Sequence, residues 1–162
     1  MTPKSKVKSI NDIKATTSKN RALNKDYKIG FTNGCFDLIH LGHLQYLREA
    51  RAEVDCLVVG LNSDSSVLNL KGAGRPINNE IQRALFLEFL SFVDYINIFH
   101  DLTPEKIIEV LRPDILFKGS DYQEHNVAGA KFVRKNGGKV ILVPFLEGYS
   151  TTGLIKKIRG TE

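Results

Sequence analysis

The stretch Phe31-Thr-Asn-Gly-Cys-Phe-Asp37, followed at once by His40-Leu-Gly-His43, decides how this chain is read. An apolar run over 28–32 predicts a first strand that ends here. An amphipathic segment follows: residues 42–53 predict a helix, with Leu44, Leu47, Ala50 and Val54 on one side and Arg48, Glu49 and Arg51 elsewhere. A strand-to-helix turn points free backbone N–H groups and the positive end of the helix dipole at one spot. Such a spot is a ready anion site, and phosphate is its usual occupant. His40 and His43, three residues apart, share a face at helical spacing. Two imidazoles at an anion site suggest phosphate chemistry rather than phosphate storage. Gly42 between them has no side chain, so a ligand could approach the backbone. The alternatives are two partly buried histidines that cap the turn, or a metal site, for which no third ligand is evident nearby.

Outward from this turn, strands and helices alternate. Cys56-Leu-Val-Val-Gly-Leu61 is a continuous apolar run, as expected of a strand covered on both faces. Residues 62–78 are polar and Gly-rich and read as a long loop around a short helix, and 79–91 as a helix. Tyr95–Phe99 is a third strand. Thr103 predicts an N-cap with Pro104 at the first helical position, and that helix ends before Pro113. Asp114–Lys118 is a fourth strand closed by Gly119, 125–135 a weaker helix stopped by Gly137-Gly138, and Val140–Val143 a fifth strand. Ser150-Thr-Thr-Gly153 opens a last helix with an apolar stripe of Leu154, Ile155 and Ile158. The pattern predicts a single-domain α/β fold, a Rossmann-like, doubly wound, five-stranded parallel sheet. Ligands of such sheets bind beyond the carboxyl ends of the strands, where the strand order switches. The polar clusters all follow strands: Asn33–Asp37 with the histidines, Asn62–Asp64, Gly119–Tyr122 and Glu147–Thr152.

Each cluster has a chemical reading. In Thr32-Asn-Gly-Cys-Phe-Asp37, Asn33-Gly34 is a turn dipeptide whose N–H groups could form a phosphate nest. Asp37 could orient a histidine or Lys71, help hold Mg²⁺, or simply favour the helix start. Lys71 and Arg75 lie in a basic loop with Gly72 and Gly74, which could close a lysine over a triphosphate or remain solvated. Arg83 reads either as a further phosphate contact or as a structural ion pair. Ser150, Thr151 and Thr152 form either a second phosphate site or an ordinary N-cap. In Lys118-Gly-Ser-Asp-Tyr122, Asp121 could accept from a sugar hydroxyl or a base, or belong to a plain turn.

Composition bounds the rest. The chain has 162 residues, 42% hydrophobic and 25% charged, ordinary values for a globular domain. It has no apolar run of about 18 residues for a membrane span and no secretory signal at its start, so a cytoplasmic location is expected. Cys35 and Cys56 are isolated, which argues against a zinc site or a disulfide. The net charge of +5 owes much to Lys4, Lys6, Lys8, Lys14, Lys19, Arg21, Lys25 and Lys28, opposed by Asp12 and Asp26. No aromatic residues interleave with these charges as a nucleic-acid stacking platform would need. No GxxxxGK[ST] or GxSxG occurs, nor a GxGxxG after the first strand, so neither a P-loop nor a dinucleotide cofactor nor a nucleophile elbow is indicated.

The strand followed by His40-Leu-Gly-His43 resembles the HxGH signature of the cytidylyltransferase-like nucleotidyltransferases. With Val59–Val67, Leu70–Asn78, Arg112–Tyr122 and Glu147–Thr152, the chain resembles, within them, the heptose 1-phosphate adenylyltransferases of ADP-heptose synthesis. That activity is in many bacteria the C-terminal half of a bifunctional protein whose other half is a sugar kinase. The resemblance covers about residues 27–159 and leaves nothing over for a kinase, so the stand-alone form is expected. It departs at Ser120, where members often have a second glycine. Residues 1–26 have no counterpart and are expected to be a basic lead-in, in part helical; residues 27–162 form the catalytic domain.

The resemblance implies adenylyl transfer from ATP, with Mg²⁺ carried on the ATP phosphates, to D-glycero-β-D-manno-heptose 1-phosphate, giving ADP-heptose and pyrophosphate. It makes His40, His43 and Lys71 the catalytic candidates. Thr32, Asn33, Gly34, Cys35, Phe36, Asp37 and Gly42 would hold ATP from one side, and Tyr149, Ser150, Thr151 and Thr152 from another. Asn62, Asp64, Arg75, Arg83, Lys118, Gly119 and Asp121 would complete the pocket. No protein metal ligand, membrane or nucleic-acid partner is implied, and dimers are common in the family. The rivals are a glycerol-3-phosphate cytidylyltransferase or related enzyme, and a non-catalytic nucleotide- or nucleic-acid-binding module. A pure binder would not need both imidazoles.

Overall fold

A computed structural model describes residues 5–120, 123, 126–144, 146 and 148–160. Five strands form one all-parallel sheet: β1 (Ile29–Gly34), β2 (Cys56–Asn62), β3 (Tyr95–Phe99), β4 (Ile115–Gly119) and β5 (Lys139–Val143), in the order β3-β2-β1-β4-β5. The order reverses between β1 and β4, so the switch point lies at their carboxyl ends. β1 pairs with β2 along its whole length, from Ile29↔Cys56 to Gly34↔Leu61, but with β4 only at Gly30↔Ile115 and Phe31↔Leu116. Beyond Phe31 these two strands part, and Lys118 spans the gap, donating from Nζ to Oδ1 of Asn33 at 2.8 Å and to its backbone oxygen at 3.2 Å.

Both faces of the sheet are covered, which is why β2 is buried at every position and apolar up to Leu61. One face packs Leu57, Val59, Leu61, Ile115 and Phe117 under α2 (Leu41–Ala52) and α4 (Glu80–Glu88). The other packs Ile29, Phe31, Val58 and Leu116 under α1 (Ile10–Leu23), α5 (Glu105–Leu111) and α6 (Ala130–Lys135). A short α3 (Asp64–Lys71) follows β2, and α7 (Thr151–Arg159) ends the fold. No helix among the described residues is long and apolar enough to cross a membrane.

The basic lead-in is built onto the sheet. Lys6–Lys8 pairs with the edge strand β3: Lys8 N donates to Ile96 O and Ile96 N to Lys6 O, both at 2.9 Å, and Asn97 Nδ2 donates to Lys8 O. Ser9 caps α1, Ile13 is fully buried, and Arg21 pairs with Asp114 at 2.5 Å. Covering the β3 edge removes a row of unpaired backbone groups.

Several boundaries differ from the sequence reading. β1 runs on through Gly34, because the β2 ladder takes the Asn33 and Gly34 backbone that the reading gave to a turn. The N-cap of α5 is Pro104, not Thr103, whose hydroxyl instead meets Glu105 Oε2 at 3.2 Å. α6 starts only at Ala130, because Gly129 sits at φ 83°, outside helical space. A side chain at 129 would also collide with Ile108.

Candidate active site

A cavity of about 580 Å³ lies along the carboxyl edge of the sheet, the size of a cofactor or nucleotide site. The turn after β1, the start of α2, the end of α3, Lys118 and Gly119 of β4, and residues 149–152 before and within α7 all line it.

His40 is the N-cap of α2, in extended conformation, and His43 lies one turn on. Neither ring caps the helix. They stack on each other, centroids 3.8 Å apart and planes 24° from parallel. Nδ1 of each is buried without a hydrogen-bond partner among the described residues. Burial lowers the pKa of His40. Burial and the adjoining His40 ring push His43 down to about 4, against a small opposing contribution from the Leu38 backbone. The free site therefore presents two neutral imidazoles at neutral pH, each able to donate one N–H.

Gly42 lines the cavity and is also constrained by its neighbours. A Cβ there would lie 3.1 Å from His40 Nδ1, 3.2 Å from its Cε1 and 3.4 Å from Tyr149 Cβ. Gly42→Ala is expected to push the His40 ring aside by a few tenths of an ångström and to lower turnover without unfolding the chain. Steady-state kinetics beside an unchanged circular-dichroism spectrum would check it.

Asp37 is fully buried and makes no hydrogen bond or ion pair with either histidine or with Lys71. Its carboxylate accepts from Arg75 Nε at 2.6 Å, from Ile77 N at 2.8 and 2.9 Å and from Asn78 N at 2.9 Å. Burial pushes its pKa up, but the Asn78 and Ile77 N–H groups and the Arg75 guanidinium outweigh that and hold it below the ordinary value. The suggested tasks of orienting a histidine or holding Mg²⁺ are thus corrected: its oxygens are committed to the loop before α4. Arg75 lines the cavity but is tied to Asp37.

Arg83 turns out to be the structural ion pair. Its fully buried side chain donates to Asn78 O, Cys35 O and Asp64 Oδ1, which accounts for Asp64 as well. Neither lines the cavity. Thr32 lies behind the wall, its hydroxyl 2.7 Å from Tyr46 Oη. Asn62 lines the cavity and donates to Ser66 Oγ.

Lys71, exposed at the last residue of α3, stands at the cavity rim beside the open, left-handed Gly72 and Gly74. Across the cavity, Ser150 caps α7 by accepting from Gly153 N at 3.0 Å, and Thr151 Oγ1 reaches Leu38 O at 3.5 Å. The N-terminus of α7 therefore opens on the same space as that of α2. Asp121 lies outside the described residues, as do Tyr122 and Glu147. The sequence reading missed Tyr46, Leu70, Leu102, Thr103, Pro104, Asn126 and Ala128 as cavity wall. The rule that sites follow strands could have found 102–104, directly after β3. Tyr46, one helical turn beyond His43, carried a helix-face signal only.

Among the described residues no group of three or more His, Cys, Asp or Glu side chains could cage a metal ion. Mg²⁺ at this site would come as part of a magnesium–nucleotide substrate, held by the phosphates.

The family model described as cytidylyltransferase-like matches residues 31–157. The bifunctional protein HldE of Geotalea uraniireducens is 47% identical over 95% of this chain and 31% of its own length. The protein of the same name from Wolinella succinogenes is 52% identical over 83% of the chain and 27% of its own. The chain thus spans about a third of the curated relatives it matches. Among solved structures, a lipopolysaccharide core biosynthesis protein from Thermoplasma volcanium aligns with a TM-score of 0.60 at 29% identity, covering 76% of this chain and 98% of that one. Pantothenate synthetase from Thermus thermophilus aligns at 0.60 with 15% identity, covering 87% of this chain and 62% of that one, a likeness of fold alone.

Proposed function

The chain belongs to the cytidylyltransferase-like family, and on that premise we propose that it is an adenylyltransferase acting on heptose 1-phosphate. It transfers the adenylyl group of ATP to D-glycero-β-D-manno-heptose 1-phosphate, giving ADP-heptose and pyrophosphate. The observation that carries the reading is the stacked His40–His43 pair at the α2 N-terminus, in one cavity with the N-terminus of α7. Two helix ends, two imidazoles and Lys118 with Lys71 supply N–H donors and positive charge on several sides of one space, as a polyphosphate requires.

An oxygen of the sugar phosphate attacks the α-phosphorus, and the bond to the bridging oxygen of pyrophosphate breaks, the electron pair leaving with pyrophosphate. The attacking phosphate is already ionised at neutral pH, so no strong base is needed, and catalysis is positioning plus charge stabilisation. The bound polyphosphate opposes the effect of burial on the imidazoles and favours a proton on the pair. With ring centroids 3.8 Å apart, a proton on one ring is favoured over a proton on each.

The choice of heptose rests on the sequence segments around Lys118–Tyr122 and Glu147–Thr152. It agrees with the likeness to the lipopolysaccharide core biosynthesis protein of Thermoplasma volcanium. A screen of pyrophosphate release, crossing ATP and CTP with heptose 1-phosphate and glycerol 3-phosphate, tests it. Release with ATP and heptose 1-phosphate alone is expected. CTP with glycerol 3-phosphate as the productive pair would move the protein to the polyol cytidylyltransferases, and no release with any pair would end the enzymatic reading.

A further inference from the structure

We propose that Phe36 is a positioning residue for His43: its ring, folded back over the end of β1, is the wall that keeps the His43 imidazole flat against His40. The inference rests on the histidine pair having the role assigned above.

Phe36 adopts φ 45°, and Arg112, at the C-cap of α5, is the other non-glycine residue at positive φ among the described residues. A bulky side chain disfavours this conformation, and glycine, asparagine or aspartate take it more easily. A phenylalanine held there, next to the candidate reaction centre, is a case of local strain in search of a function. The turn itself does not need an aromatic ring, so the ring must be needed for what it touches.

What it touches is specific. The left-handed backbone throws the ring back over the strand end. A Cβ at Gly34 would lie 3.0 Å from Phe36 Cε2, so the absence of a side chain at 34 makes room for it. The ring is 5% exposed, and its centroid is 5.2 Å from that of His43 at an interplanar angle of 54°, a tilted aromatic contact. His43 in turn lies on His40. Phe36, His43 and His40 therefore form a row of three rings, with His43 held between an apolar wall and its partner. Phe36 and His40 both bring their rings into contact with His43. An aliphatic residue at 36 would keep the site apolar but leave a gap into which the imidazole can turn, and with it water.

The ionisable groups that share the cavity with His43 are His40 and Tyr46 on its own helix, Cys35 in the turn after β1, Lys71 at the end of α3, Lys118 on β4 and Tyr149 before α7. Arg75 is paired with Asp37. None of these is altered by a change at Phe36, so a movement in His43 titration reports the wall.

The test uses the full chain with Phe36→Leu and, in case that variant does not fold, Phe36→Met. Two readings are taken: pyrophosphate-release kinetics, and titration of the His43 imidazole C–H resonance in the nucleotide-free protein. Phe36→Leu is expected to lower kcat by about 10- to 100-fold with little change in the KM for nucleotide, the mark of a misplaced group rather than a lost binding contact. The His43 titration is expected to rise from about 4 towards 6.5. A folded variant with wild-type kcat, or with His43 titrating where it does in the wild type, would overturn the proposal. If the wild-type chain releases no pyrophosphate with any substrate pair, the functional reading fails, and the titration still decides the role of Phe36.

Discussion

Replacing His43 with alanine is expected to lower the rate of pyrophosphate release by about 10²-fold or more, the scale of losing a main donor to charge developing in a transition state. The ring sits one turn into α2, stacked on His40 and walled by Phe36, so alanine removes both its N–H and one side of the stack. The helix itself should persist, because His43 contributes no cap and its backbone N–H still donates to His40 O at 2.9 Å. A near-normal rate in a folded His43→Ala protein would remove the pair from the reaction. The same variant has a second signature. His43 is pushed down to about 4 in the folded protein, below its ordinary 6.5, so between these values the unfolded chain binds the proton more tightly. Stability is therefore full above about pH 6.5 and falls as the pH drops towards 4. Thermal melts across this window should show a shallower acid slope in His43→Ala than in the wild type.

Asp37→Ala is expected to destabilise the protein by about 3–5 kcal/mol, the usual consequence of removing one partner of a buried ion pair. Asp37 and Arg75 side chains are 0% and 16% exposed, so the guanidinium would be left largely desolvated and unpaired. The Ile77 and Asn78 N–H groups lose their acceptor at the same stroke. Because these bonds tie the turn after β1 to the loop leading from Lys71 to α4, activity should fall even in protein that remains folded. Urea denaturation of variant and wild type measures the first effect. The wild type supplies a pH check: Asp37 is held below its ordinary 3.8, so its contribution is present above that value and is lost as the pH falls below it towards the folded pKa. A loss of stability under 1 kcal/mol would show that the loop stands without this anchor.

Both predictions turn on residues in one short stretch of sequence, yet that stretch was not equally readable. His40 and His43 were visible as a pair because residues three apart at a helix start share a face. The alternation of apolar runs with amphipathic segments was enough for a parallel sheet, since strands covered on both faces lose their polar positions. Asp37 carried no such signal. A carboxylate a few residues before a helix start reads equally as ligand, orienter or cap, and only the arrival of residues 75–78, some forty positions on, chose among them. Arg83 was equally undecided for the same reason, its partners being Cys35, Asp64 and Asn78.

By itself, then, the sequence determined the five strands, the intervening helices and the expectation that polar residues following strands meet at one edge. These depend on periodicity and local turn chemistry, which act over a few residues. The tertiary structure decided the rest. It drew Asn33 and Gly34 into the β2 ladder and made Gly42 and Gly34 room for the His40 and Phe36 rings. It also turned Asp37 and Arg83 from candidate ligands into supports. The physical reason is that burial and hydrogen-bond satisfaction are settled between segments distant along the chain, and a charged side chain becomes site or scaffold only when its partners are known.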